Sequence, residues 1–213
     1  MPHDITSGLN PQQYEAVTTA EGPLLIIAGA GSGKTRVITM RIAAMLESGI
    51  PQRSILALTF TNKAAREMGE RVRIIASRKL RDLTVSTFHS FGVSVLKRHA
   101  YRLGYRDNFS IYDTQDQIAL LRESAREIRM ELEAGEAAKV LQQFSAAKTG
   151  RMRWDDVPTA YRELYADYSE HMKLYNAVDF DDLIILPVKL LSEHPEVLAE
   201  YHERYRYVMV DEF

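Results

Sequence analysis

The amino-acid sequence predicts an α/β fold: a parallel sheet flanked by helices and interrupted by an all-helical insertion. Three observations point there. Apolar, strand-like runs alternate with helical periodicities from residue 22 to residue 104, an order that needs crossover connections and so parallel strands. The runs are continuously apolar, as strands buried on both faces are. After Gly104 helical periodicity continues alone until a last apolar run, "YVMV", at residues 207–210.

The elements follow in order. "LNPQQYEAV" reads as a short helix capped by Asn10, with Pro11 at its first position. "GPLLIIA" reads as a short buried strand. "KTRVITMRIAAMLES" sets Val37, Ile38, Ile42 and Met45 on one helical face and stops at Gly49-Ile50-Pro51. "SILALTF" is a second strand, "NKAAREMGERVRIIA" a helix with its basic residues mostly outward, "LTVSTF" a third strand and "FHSFGVSVLKRHAYRL" a further helix. Next come three helices, "TQDQIALLRESAREIRMELE", "EAAKVLQQFSAAKTG" and "TAYRELYADYSEHMKLYNA". In the last, Tyr161, Leu164, Tyr165, Tyr168, Met172 and Tyr175 recur at spacings of three and four; such a stripe is read as core. "VDFDDLIILPVKLLSEHPEVLAEYHERY" is helical again, with Pro187 expected to kink or shorten it. "YRYVMVDEF" is a strand running into two acids. The expected division is a sheet-based domain of residues 1–107 and 184–213 with a helical insertion of 108–183, the strand ending at Asp211 lying beside the strand ending at Ala28.

Of the 213 residues, 46% are hydrophobic and 26% charged, enough for a core in one or two domains. The chain has no cysteine, which excludes disulfides and thiolate metal sites. No apolar run is long enough to span a membrane. The N-terminus lacks a basic region followed by an apolar one, so no secretory signal is read, and a cytoplasmic protein is expected. The net charge of −2 conceals a segregation: fourteen Lys/Arg face four acids from Arg36 to Arg106, and twelve face twenty-two from Asp107 onward. The basic half suggests a polyanionic partner, solvated helix faces being the alternative.

"AGAGSGKT", Ala28, Gly29, Ala30, Gly31, Ser32, Gly33, Lys34 and Thr35, fits the phosphate-binding loop with one departure, Ala28 where the strict pattern has glycine. Backbone amides must turn inward to approach phosphate oxygens, which side chains would obstruct. The following helix N-terminus adds partial positive charge. Lys34 would reach β- and γ-phosphates, and Thr35 would ligate Mg²⁺. A strand before and a helix after supply the expected context; a glycine-rich turn without ligand is the alternative. Such a loop needs a carboxylate at a neighbouring strand end. Asp211 would hold Mg²⁺ through water, and Glu212 would polarise the attacking water.

On these residues the chain resembles the N-terminal part of the superfamily 1 DNA helicases of the UvrD/Rep/PcrA group, essentially end to end. That family has a RecA-like P-loop fold. "LNPQQYEAV" resembles its glutamine motif, which implies Gln13 as adenine reader. "AGAGSGKTRV" resembles motif I, in which the first alanine is normal, and implies Arg36 beside the adenine. "ALTFTNKAAREM" and "TFHSF" resemble motifs Ia and Ib, which contact single-stranded DNA. "VMVDEF" resembles motif II. The resemblance implies an ATP-dependent 3′–5′ helicase of DNA repair or replication restart, acting on single strands and single/double-strand junctions, with a monomer as the expected oligomeric state.

The residues agree with a DNA role on their own terms. Phe60 ends a strand where a parallel sheet exposes its ligand edge, and Thr61, Asn62 and Lys63 follow, a set suited to stacking a base and gripping phosphate. Thr87, Phe88 and His89 stand in the same relation to the next strand. A core role for Phe60 and a structural role for His89 are the alternatives. In "DFDDL", helix capping by Asp179 or Asp181 is read in preference to a metal cluster. The sequence stops within motif II, so the chain is expected to carry a first motor lobe that binds ATP and single-stranded DNA weakly without unwinding. A small-molecule phosphotransferase and a non-catalytic nucleic-acid-binding module are the competing classes.

Overall fold

The computed structural model describes residues 6–29, 31–77, 79–133 and 135–212. It forms two compact units, one of residues up to 88 together with those from 198, the other of residues 89–197.

The first unit is built on a three-stranded parallel sheet, β1 (Ile55–Thr59), β2 (Thr84–Thr87) and β5 (Tyr207–Val210), in the order β2-β1-β5. Ile55 is in register with Tyr207 and Leu58 with Val210 on one side, Leu56 with Thr84 and Thr59 with Thr87 on the other. Helices α1 (Pro11–Thr18), α2 (Lys34–Glu47) and α3 (Asn62–Ile75) accompany it. Each starts where local chemistry dictates. Asn10 and Gln13 form a reciprocal capping box ahead of Pro11. Thr61 caps α3 through Ala64 N–H. Ile42, Met45 and Leu46 of α2 and Met68 and Val72 of α3 bury against Ile55, Ala57 and Met209. Val37, Met40 and Ala43, on another side of α2, pack on Ala16 and Val17 of α1.

One expectation fails in this unit. Residues 22–28 form no strand, and Leu25 and Ile27 are 71% and 89% exposed. The segment is separated from β5 by a cavity of about 640 Å³ that both line. An apolar run becomes a strand only when a neighbour completes its ladder, and β5 makes its ladder with β1 alone among the described residues.

The second unit contains α4 (Phe88–His99, entered from the first unit), β3 (Ser110–Ile111), α5 (Thr114–Glu127), α6 (Glu136–Lys148), α7 (Thr159–Leu174), β4 (Ala177–Val178) and α8 (Asp182–Glu193); α9 (Pro195–Arg204) leads back. β3 and β4 pair in parallel. The tyrosine stripe is largely core: Leu164, Tyr168 and Met172 are buried with Leu121, Val140 and Phe144, Tyr161 and Tyr165 are half-buried, and Tyr175 is exposed. Tyr165 lies 4.3 Å from the Trp154 ring and 4.9 Å from Phe144. α5 is shorter than its periodicity suggested. Arg129 turns left-handed, φ 58°, and Met130 N–H returns to Ala125 C=O at 2.7 Å, which lets Met130 and Leu132 pack on the core. The units part at 88/89 and 197/198, because Leu96 and Ala100 of α4 pack with Val178 and Leu183.

α8 runs through Pro187 without a break. Proline has no N–H for the carbonyl four residues back, here Leu183 C=O. That carbonyl faces Gly92 of α4, and a Cβ there would fall inside the van der Waals shell of the Leu183 oxygen, with Pro187 next to it. The proline and the glycine thus allow one close helix crossing. Gly92→Ala should lower stability by roughly 1–3 kcal/mol through backbone overpacking. Gly69→Ala in α3, where a Cβ would meet nothing within 4 Å, should gain up to about 1 kcal/mol. Urea midpoints of the two variants should move in opposite directions.

Candidate nucleotide and nucleic-acid site

The glycine-rich loop joins the exposed segment to α2. Gly31 and Gly33 have φ of 77° and 86°, values that disfavour side-chain-bearing residues. A Cβ at Gly29 or Gly31 would meet no protein atom within 4 Å, so the space beside the loop is open to a ligand. Ala30 lies outside the described residues. Ser32 donates its hydroxyl to Gly29 C=O at 2.7 Å, and Gln13 donates its side-chain amide to Ser32 C=O at 3.1 Å. Gln13 therefore ties α1 to the loop. Lys34 donates to Ala28 C=O at 2.7 Å and to Gly29 C=O at 3.0 Å. Arg36, one turn into α2, is exposed.

Thr35 donates its hydroxyl to the Asp211 carboxylate at 3.0 Å. Asp211 follows β5 directly, is 4% exposed, and gives its N–H to Leu58 C=O at 2.9 Å. The last β-type bond of the sheet thus fixes the carboxylate beside the start of α2. Glu212 is exposed and left-handed, φ 64°. The donor set at Thr35 and Asp211 is all oxygen, the kind a hard divalent ion takes. The sequence reading missed Arg41, which is buried beside the cavity and donates to Ala16 C=O at 2.7 Å. Burial pushes its pKa below the usual arginine value. Its position on α2 gives no hint of this role.

At the C-terminal end of β1, Phe60 is 59% exposed, which removes the core alternative. Its ring lies 5.6 Å from that of Phe88, tilted by 52°. Asn62 and Lys63 are exposed, Lys63 only loosely near Glu67 at 3.9 Å. The Thr61 hydroxyl is engaged in capping α3, and Thr87 is buried at the end of β2. His89 opens the second unit, its ring edge-on to Phe180 at 6.0 Å. Phe180, exposed within "VDFDDL", is an aromatic that the sequence reading passed over.

The aspartates of that segment are structural. Asp179 accepts from Asp182 N–H and Asp182 accepts from Asp179 N–H, at 2.9 and 3.1 Å. The capping side chain is therefore Asp179; Asp181 makes no capping bond. Lys148 sits between the two carboxylates, 2.8 Å from Asp179 and 2.7 Å from Asp182. Burial alone would lower the Lys148 pKa, but Asp182 and Asp179 outweigh it and raise it. Lys148→Ala would leave two buried carboxylates uncompensated, and should cost about 3–5 kcal/mol. Lys148→Arg should cost less, and Asp181→Ala close to nothing, in the same denaturation measurement.

Residues 9–213 match the UvrD/REP helicase N-terminal domain family. The chain is 43% identical to the ATP-dependent DNA helicase PcrA of Bacillus subtilis, over 99% of this chain and 30% of that protein. It is 42% identical to PcrA of Leuconostoc citreum, over 98% and 29%, and 41% identical to the ATP-dependent DNA helicase Rep of Escherichia coli, over 96% and 32%. The chain thus spans about a third of the length of the curated relatives it matches. Its phosphate loop, its strand-end acids and this match over nearly its whole length agree, and the chain belongs to the UvrD/REP helicase N-terminal domain family.

Proposed function

We propose that this chain is the nucleotide-binding first lobe of an ATP-driven DNA helicase or translocase. The observation that carries the reading is the 3.0 Å contact between Thr35 and Asp211, 176 residues apart in the chain. It joins a helix N-terminus to a strand-end acid at the sheet edge where parallel folds take ligands. Residues 1–107 and 184–213 are assigned to the ATP-binding domain and 108–183 to its helical insertion. The parallel pairing of Ser110–Ile111 with Ala177–Val178, near the start and end of that insertion, supports the assignment.

Bound with ATP, Mg²⁺ would supply positive charge to the β- and γ-phosphate oxygens. Thr35 Oγ1 and the Asp211 carboxylate are the groups that would hold it. The amides of Ala28, Gly29, Gly31, Ser32 and Gly33 would face the phosphates, with Lys34 exchanging loop carbonyls for phosphate oxygens. Gln13 and Arg36 would flank the adenine. Glu212, exposed beside Asp211, would accept a proton from the attacking water. Phe60 and Phe88 would stack bases, with Thr61, Asn62, Lys63, Thr87 and His89 along the strand path. In the whole protein these parts would drive 3′–5′ movement in DNA repair or replication restart, with junctions as substrates, a monomer as the working unit and the cytoplasm as its compartment. On its own the chain would bind ATP and single strands weakly.

Titration with a fluorescent Mg-nucleotide tests the first half. Lys34→Ala should weaken binding by at least about tenfold, as the loss of a charge-assisted contact does. Unchanged binding would remove the phosphate-loop reading. ATP hydrolysis with and without single-stranded DNA, on this chain and on a full-length relative, tests the assignment of activity to the whole protein.

For DNA, oligothymidine affinity should fall steeply with salt, since each neutralised phosphate releases counterions. Phe60→Ala should cost roughly 1–3 kcal/mol without altering the salt slope. Lys63→Ala should lower both affinity and slope. Tighter binding of a duplex of equal length would end the stacking role.

A further inference from the structure

The DNA reading uses basic residues at the C-terminal ends of the strands, but the fold divides the basic half of the sequence between two edges. Lys63 follows β1, whereas Arg53 precedes it, and a five-residue strand separates its ends by about 16 Å. Arg81 likewise precedes β2, and Arg204 ends α9 ahead of β5. These three arginines, from three separate segments, line one open pocket of about 410 Å³ with Asp82, Leu83 and Thr84. The pocket lies at the N-terminal edge of the sheet, opposite the edge that carries Asp211 and Phe60.

The backbones that carry the arginines are tied together. The Gln52 side chain donates to Lys79 C=O at 2.9 Å and accepts from Asp82 N–H at 3.1 Å. One glutamine thus clamps the segment bearing Arg81 to the turn bearing Arg53. Thr84 and Tyr205 share a hydroxyl–hydroxyl bond of 3.1 Å, which ties the end of α9 to the start of β2. The Arg204 guanidinium lies over the Tyr205 ring at 5.0 Å. Among the described residues, none of the three arginines makes an ion pair. Three like charges are therefore gathered on tethered segments around a single carboxylate, Asp82, which leaves the pocket with a net positive charge.

We propose that this pocket is a second anion site, one that takes a phosphate group supplied by a nucleic-acid backbone or by a free oligophosphate. Guanidinium forks match phosphate and carboxylate alike. A carboxylate, however, offers two oxygens and a single charge, which serve one fork well. A terminal phosphate offers three unshared oxygens and close to two charges, and successive phosphodiesters of a backbone offer two oxygens each at a regular spacing, so either source can engage three forks at once. That geometry favours phosphate over an acidic peptide.

The test uses the whole 213-residue chain carrying Lys34→Ala and Phe60→Ala. These changes weaken the nucleotide and DNA sites proposed above, and the arginine substitutions made on that background read the pocket independently of them. Calorimetric titration with tripolyphosphate and, separately, with a short oligothymidine should show residual binding. Arg53→Gln, Arg81→Gln and Arg204→Gln should each weaken it by about tenfold, with unchanged circular dichroism. Arg81→Lys, which keeps the charge without the fork, should fall between. Binding of tripolyphosphate alone identifies a free oligophosphate as the source, and binding of the oligonucleotide alone identifies the backbone; each supports the site. No binding in the doubly substituted chain, binding indifferent to the arginine changes, or tighter binding of a hexaglutamate peptide overturns it.

Discussion

The hydrogen bond from Thr35 to Asp211 is the constraint on which the candidate site depends. One partner sits at the second position of α2, the other directly after β5. Neither could be displaced by a residue without losing the contact. Side chains alternate along a strand, so a one-residue slip of β5 against β1 would bring Glu212 or Val210 to the level of Thr35. The bond from Asp211 N–H to Leu58 C=O opposes such a slip, since it continues the ladder past the last paired residue. Burial of Ile42, Met45 and Leu46 against Ile55, Ala57 and Met209 sets the helix on the sheet from the other end. Packing and polar geometry converge on one pair of oxygens.

What the sequence made legible was local. The capping of α1 by Asn10 and the stop of α2 ahead of Gly49 are written in neighbouring residues, because helix ends are settled by short-range hydrogen bonds. The loop was equally readable, as Gly31 and Gly33 stand where the backbone turns left-handed. Residues 22–28 were not. Their composition is that of a buried strand, but a strand exists only with its neighbour, and no pattern within seven residues announces whether the neighbour pairs.

Long-range meetings were hidden for the same reason. Lys148 stands 31 residues from Asp179, and nothing near either residue signals that a buried cation answers the aspartates. Gly92 and Pro187 are each visible, one as a helix-weakening residue and the other as a helix-breaker, yet their meaning arises only where they touch. The charge count was correct as a number and mute about direction. Arginines before and after a strand are neighbours in sequence and lie on opposite edges in space.

The grip of the loop on Lys34 bears on selectivity. The ammonium already has two acceptors, the carbonyl oxygens of Ala28 and Gly29, so an incoming group must outbid them rather than fill a vacancy. A neutral acceptor offers the lysine nothing better than a peptide oxygen. A phosphate oxygen carries a formal charge and forms the stronger, charge-assisted bond. In a loop that takes phosphate the exchange would therefore run forward for anions and stall for uncharged molecules of the same shape, so that charge would be screened before contour had any part in the choice.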